Sequence, residues 1–353
     1  MKICLISPID ERIPPILYGG IGRVVYNLTD GLVKKGHDVT LLASGDSNVS
    51  DRIIPVINKS LGVSGINNSP KKREVFFQMA IANIINILLK NKFDIISNHL
   101  GWRLIPFENL ISDPIVTTLH TPLDQENKQI LFSNYPNHPV ISISKNQRKP
   151  LPKLKYLGNV YNGINIFLYD FSDIHDDYLM FLGRMSPEKG VLEAIQIAKK
   201  MNMKLVIAGA IHNWDRVYFE SKIKQHIDNE SIVFVGEIND KEKNKLLGRA
   251  KALLAPVQWD EPFGLTFIES MACGTPVVSF NRGSVKEIII DKKTGIIANS
   301  INDICNRFKE LDRINRVDCR KHVENKFVSD IMVNNYEEIF LNYLKKINEK
   351  NKR

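Results

Sequence analysis

A chain of 353 residues with 43% hydrophobic and 25% charged side chains has the make-up of a soluble globular protein, long enough for two ordinary domains. No run approaches the ~18 apolar residues of a membrane span. The four cysteines, Cys4, Cys273, Cys305 and Cys319, lack paired metal spacing, and a reduced cytoplasmic protein is expected. The short apolar run after Met1-Lys2 stops at Pro8, too early for a secretory leader.

The first half alternates apolar runs with helical stretches. The runs are 3–7, 39–43, 95–98, 115–119, 140–143 and 159–161, with helices expected over 22–35 and 74–90. The second half repeats the pattern with runs at 178–182, 204–208, 232–235, 252–255, 277–280 and 295–298. A helix is expected over 187–200, where Val191, Ala194, Ile195 and Ala198 share one face, and another from Asp260 onward. Regular alternation of this kind predicts parallel α/β sheets. Each half holds about six strands, so two doubly wound sheets facing a cleft are expected. Acidic and polar residues gather over 165–177, where a linker is placed. The last helix, 328–346, carries Ile331, Tyr336, Ile339, Phe340 and Tyr343 at helical spacing.

The net charge of +9 is uneven: residues 1–165 carry +7 and the rest +2. The bland reading is a solvated surface. The functional reading is attraction to an anionic acceptor or to a membrane surface. No nucleic-acid-binding motif accompanies the charge, so no nucleic-acid partner is expected.

The most informative stretch is 258–283. Glu261 and Glu269 stand with seven residues between them, around the turn Pro262-Phe263-Gly264 that leads into a helix. The first N–H groups of a helix lack internal partners and carry partial positive charge, so they attract phosphate. Two carboxylates beside them suit a ligand with hydroxyls as well, which describes a nucleotide sugar. Each residue also has a bland reading. Glu261 could simply cap the helix, and Glu269 could face solvent. Arg184 and Lys189, at the end of the run 178–182, could be spent on an ion pair with Glu188. They could equally supply the two positive charges that a departing diphosphate needs. His120 ends the run 115–119 and could be a satisfied core histidine, as His99 and His138 are expected to be.

Together these pieces resemble the retaining family 4 glycosyltransferases of the two-Rossmann-domain (GT-B) fold. The matching motifs are Gly19-Gly20-Ile21-Gly22-Arg23, His120-Thr121-Pro122, Asn162-Gly163-Ile164, Gly183-Arg184-Met185-Ser186-Pro187-Glu188-Lys189-Gly190 and Glu269-Ser-Met-Ala-Cys-Gly-Thr-Pro. The look is nearest to the subgroup of the avilamycin pathway. The resemblance implies an acceptor-binding domain over 1–165, a donor-binding domain over 166–327 and a final helix, 328–353, packing back on the first domain. It implies Glu261, His120, Arg184 and Lys189 as catalytic. It implies Gly19, Gly20, Arg184, Lys189, Glu261, Phe263, Gly264, Leu265 and Glu269 as donor-binding, with Glu269 on the ribose and His120 on the donor sugar. Asn162 and Gly163 would shape a hinge, and Glu287 would line the nucleotide site.

The expected activity is retaining, metal-independent transfer of a hexose from a nucleoside diphosphate donor, UDP favoured. The acceptor would be a small molecule, a glycan or a lipid-linked hydroxyl. No cofactor and no metal are expected, and contact with the inner membrane face would be peripheral. The rivals are a sugar-nucleotide epimerase of the same fold and a non-catalytic nucleotide-sugar-binding protein. One departure stands out: Asp291-Lys292-Lys293-Thr294-Gly295 has lysine where the family often has glycine, which questions the geometry of that turn.

Overall fold

The computed structural model describes residues 1–17, 19–49, 52–62 and 69–351. The chain divides into two compact units, one formed by Met1–Gly163 with Ser329–Arg353 and the other by Ile164–Val328.

The first unit runs β1 (Lys2–Ile6), α1 (Gly20–Lys34), β2 (Asp38–Ser44), β3 (Arg52–Ile57), α2 (Pro70–Lys90), β4 (Ile95–Asn98), β5 (Ile115–Leu119), α3 (Glu126–Asn134), β6 (Val140–Ser142) and β7 (Tyr156–Asn159). Its seven strands lie in the order β3-β2-β1-β4-β5-β6-β7, all parallel. The central strands are buried on both faces, which is why they read as unbroken apolar runs. The sequence reading missed β3. It is an edge strand with Pro55 in its middle, and proline demotes a strand pattern because it cannot donate to the ladder. The segment expected at 159–161 pairs three residues earlier, as β7. Helix α2 starts four residues before its expected start. Ser69 caps it by accepting from the Lys72 N–H at 3.5 Å, and Pro70 takes the first helical position.

The second unit runs β8 (Tyr178–Leu182), α4 (Val191–Lys200), β9 (Lys204–Ala208), the short α5 (Arg216–Tyr218), β10 (Ile232–Gly236), α6 (Asp240–Arg249), β11 (Ala252–Ala255), α7 (Leu265–Ala272), β12 (Val277–Phe280), α8 (Val285–Ile288), β13 (Gly295–Ala298), α9 (Ile301–Arg307) and α10 (Arg316–Lys326). The strand order is β10-β9-β8-β11-β12-β13, again all parallel. The helix expected over 187–200 is interrupted. Pro187–Lys189 is a 3₁₀ turn, and Gly190 turns the chain at φ +77° before α4 begins. A Cβ on Gly190 would overlap the carbonyl of Pro256, so glycine lets the turn after β8 touch the turn after β11.

The last helix, α11 (Ser329–Asn351), belongs to the first unit. It buries Met332, Val333, Tyr336 and Phe340. The Tyr336 hydroxyl lies 3.1 Å from Thr118 Oγ1 on β5, and Glu337 accepts from Lys35 Nζ at 2.6 Å, beyond the end of α1. The Asp291–Gly295 turn forms without the family's glycine. Lys292 itself takes the left-handed conformation, φ +64°, and its N–H donates to Gly295 O at 2.8 Å.

Candidate functional site

In a doubly wound sheet the connections leave in opposite directions where the strand order reverses, and a crevice opens at the carboxyl ends of those strands. In the second unit that point lies between β8 and β11. The turn after β8 carries Arg184 and Lys189, and the loop after β11 carries Trp259, Glu261 and the start of α7. Topology therefore gathers the second unit's expected donor-binding residues at one end of its sheet.

Glu261 is 8% exposed and its Oε2 accepts from Lys189 Nζ at 2.6 Å and from the indole Nε1–H of Trp259 at 2.9 Å. The same ammonium sits 4.8 Å from the centre of the Trp259 ring. Glu269, on α7 and 6% exposed, repeats the arrangement. Its Oε1 accepts from Lys243 Nζ at 2.6 Å and from the Tyr169 hydroxyl at 2.7 Å, and Lys243 lies 5.4 Å from the Tyr169 ring centre. Each carboxylate is thus fixed through one oxygen by one lysine and one aromatic donor. The other oxygen accepts no hydrogen bond among the described residues and can receive a ligand hydroxyl. A carboxylate held in this way is fixed in place. Lys243, Tyr169 and Trp259 were not foreseen. Tyr169 and Lys243 lie 100 and 26 residues from the glutamate they hold, so no local spacing announces them.

Gly264 precedes α7 at φ +87°, no side chain caps the helix and its first turn holds no acid. Phe267 N–H donates to Gly264 O at 3.0 Å, and the N–H groups of Leu265 and Thr266 are left for a ligand. Phe263 turns its ring inward: it is 2% exposed and meets Phe327 edge-on at 6.0 Å. Its ring packs the turn. Leu265 is half-buried at the first helical position. Gly283, φ +59°, lies so close behind Glu261 that a Cβ would overlap the glutamate's backbone.

Arg184 pairs with Glu188, as the bland reading had it, and its Nε lies 3.1 Å from Asp215 Oδ2 without a hydrogen bond's geometry. Burial raises the Asp215 carboxyl pKa and Arg184 lowers it. The structure does not bring Arg184 onto either glutamate. It stands two residues beyond β8, at the same end of the sheet.

The remaining expected residues belong to the first unit. Gly19 and Gly20 lie between β1 and α1. Gly19 has φ +155°, and a Cβ there would overlap Glu11 and Pro15. No side chain caps α1 and its first turn holds no acid.

His120 follows β5 and is half-buried. Its Nε2 lies 2.9 Å from His99 Nδ1, and His99 Nε2 lies 3.0 Å from Ser97 Oγ. His99 is buried, so the expectation that it is merely structural understates it: it orients His120. Burial lowers the His99 pKa well below the ordinary value and brings His120 to about 4, so both rings are neutral at neutral pH. Ser97 is fully buried, and His99 is the sole partner of its hydroxyl among the described residues. A buried hydroxyl proton left unpaired is costly. Donation from Ser97 to His99 Nε2, and from His99 Nδ1–H to His120 Nε2, leaves no donor idle. His120 then carries its proton on Nδ1 and offers a donor. His138 is structural, held between Thr117 Oγ1 at 2.7 Å and Glu108.

Asn162 and Gly163 close the first unit, where Gly163 O accepts from Asn27 Nδ2 at 3.2 Å. Glu287 lies in the first turn of α8.

Residues 172–311 match the model of glycosyl transferases group 1, and residues 18–154 match that of glycosyltransferase family 4. An uncharacterized glycosyltransferase of Methanocaldococcus jannaschii is 27% identical over 345 residues, covering 84% of each chain. Two solved structures share the fold. AviGT4, a glycosyltransferase involved in avilamycin A biosynthesis, superposes with a TM-score of 0.74 at 22% identity over 98% of both chains. HepE of Anabaena, in complex with UDP and glucose, gives 0.73 at 16% identity over 96% of this chain and 98% of its own.

Proposed function

The chain belongs to the glycosyltransferases of group 1 and family 4, and on that premise we propose that it is a retaining enzyme moving a hexose from a UDP-sugar to an acceptor hydroxyl. The observation that carries the reading is the matched pair Glu261 and Glu269, each pinned through one oxygen with the other left open. On this reading Glu269 accepts from the ribose hydroxyls, since a carboxylate can take two donors from a diol. Glu261 accepts from hydroxyls of the sugar. The open N–H groups at the start of α7 and the ammonium of Lys189 face the diphosphate. Arg184 joins them by exchanging Glu188, a part-exposed i,i+4 partner worth less than about 1 kcal/mol, for the more highly charged diphosphate. UDP is favoured because HepE, of the same fold, binds UDP and UDP-glucose.

Retention is supported by a scarcity of bases and nucleophiles. His120, whose pKa burial brings to about 4, is a weak proton acceptor and so a poor base for the acceptor hydroxyl. No carboxylate stands as an evident nucleophile, since both candidates are engaged with lysine. The acceptor oxygen then attacks C1 from the face the diphosphate leaves. The C1–O bond to the diphosphate breaks, the new C1–O bond forms, and the acceptor's proton passes to a diphosphate oxygen. Charge on the leaving group is met by Lys189 and Arg184, so no divalent metal is needed.

The test incubates the protein with a panel of UDP-, GDP- and ADP-hexoses and candidate acceptors, with and without EDTA. Proton NMR of the fresh product reads the anomeric configuration. An α-linked donor should give an α-linked product with EDTA present. A β-linked product would overturn retention, and loss of activity with EDTA would overturn metal independence.

A further inference from the structure

The carboxyl end of the first sheet carries a second cluster that the residues named so far do not use. Arg73 lies in the first turn of α2, after β3. Trp102 and Arg103 follow β4, and Lys128 lies in the first turn of α3, after β5. They form a ladder of cations and rings. Arg73 Cζ is 5.1 Å from the Phe77 ring centre, and Arg103 Cζ is 4.0 Å from the same ring centre. Arg103 is also 5.0 Å from the Trp102 ring centre, and Lys128 Nζ is 5.4 Å from it.

Carboxylates are in short supply along this ladder. Asp10 takes Arg73 in a two-pronged pair at 2.5 and 3.1 Å. Glu74, half-exposed, stays 3.6 Å from Arg103, beyond hydrogen-bond reach, and Arg103 Nε is buried with no acceptor. Lys128 is 7% exposed and pairs with no carboxylate among the described residues. Burial, helped by Arg103, pushes its ammonium down to about 8. A buried cation is costly unless it is paired, and the face of a tryptophan offsets only part of that cost. The arrangement therefore has a place for negative charge. Lys128 without a carboxylate and Arg103 with only the loose, part-exposed Glu74 at 3.6 Å match a dianion better than a single carboxylate.

We propose that Arg103 and Lys128, backed by Arg73 and Trp102, bind a phosphate group carried by the acceptor. The anion site stands on its own geometry. Its assignment to the acceptor rests on the transferase reading.

Calorimetry on the intact protein saturated with UDP tests both parts, because UDP blocks phosphate binding in the donor unit and no transfer is read. Titrated inorganic phosphate and glycerol 3-phosphate should each bind at one site, the ester at least as tightly. Lys128→Met and Arg103→Met should weaken both by at least about tenfold, the loss of one charge-assisted contact. Lys128→Met should also melt higher than the unchanged protein in phosphate-free buffer, since it removes an uncompensated buried charge. A variant that simply folded badly would melt lower. Absence of binding in the presence of UDP, or equal binding in both variants, would overturn the anion site. Ester binding clearly weaker than free phosphate would overturn the acceptor's part while leaving the site.

Discussion

Replacing Lys189 by methionine would separate what the Lys189–Glu261 pair does for the fold from what it does for the chemistry. Glu261 is 8% exposed, and its two donors both act on Oε2. Without the ammonium, a nearly buried carboxylate keeps only the Trp259 indole. Breaking a buried pair from one side costs about 3 kcal/mol when some solvent reaches it, as the part-exposed Lys189 side chain allows here. For a unit of roughly 165 residues that lowers Tm by about 6–12 °C. Glu261→Gln is milder, about 1 kcal/mol, because Lys189 can turn to water and keep its place over Trp259. The double variant leaves no unpaired charge and should melt like Glu261→Gln. Activity should behave otherwise: each single variant loses about 10²-fold in kcat/KM and the double variant recovers nothing. Differential scanning calorimetry and a UDP-release assay read the two scales. A double variant as unstable as Lys189→Met, or one that regains activity, would refute the reasoning.

Three further outcomes are expected. Glu269→Ala should raise the Kd for UDP measured by calorimetry while Glu261→Ala spares it and depresses transfer; equal losses of UDP affinity would reverse the assigned roles. His99 and His120 are held neutral in the folded chain but take protons below about pH 6.5 when unfolded. The unfolded state then binds more protons between about pH 6.5 and 4, so Tm should fall as pH drops through that window, and His99→Gln with His120→Asn should flatten the fall. Lys292→Gly should raise Tm, because it relieves a left-handed lysine worth about 1–2 kcal/mol of strain against about 0.5–1 of added chain entropy; a lower Tm would show that the turn is not strained.

Strands buried on both faces announced themselves as apolar runs, and eleven of the twelve expected segments coincide with or overlap by several residues a strand of the structure. The twelfth, 159–161, shares one residue with β7, which sits at the sheet edge and is only half-buried. The unforeseen β3 shows the limit from the other side, since Pro55 and its polar flanks hide an edge strand whose partner is supplied by β2. Gly190 likewise broke a helix that periodicity had run straight through, because its φ answers to Pro256, 66 residues away. The glutamates, Arg184, Lys189 and His120 were legible as residues at strand ends and helix starts. Their partners were not. Tyr169, Lys243 and His99 act through contacts that only folding creates, and His99, between an asparagine and a leucine after β4, looked like any core histidine.

The chain passes between its two units twice, at Gly163–Ile164 and at Val328–Ser329, and its final helix fills the first unit's core with Val333, Tyr336 and Phe340. During synthesis the first 163 residues therefore emerge without a wall of their own interior. Gly31 waits for Val333, and Thr118 waits for Tyr336, until some 170 further residues have been made. The second unit, unbroken in sequence, can close on itself first. The first is an open vessel until Ser329–Asn351 has been made, and a chain cut short before residue 329 would leave that apolar hollow exposed to chaperones and proteases.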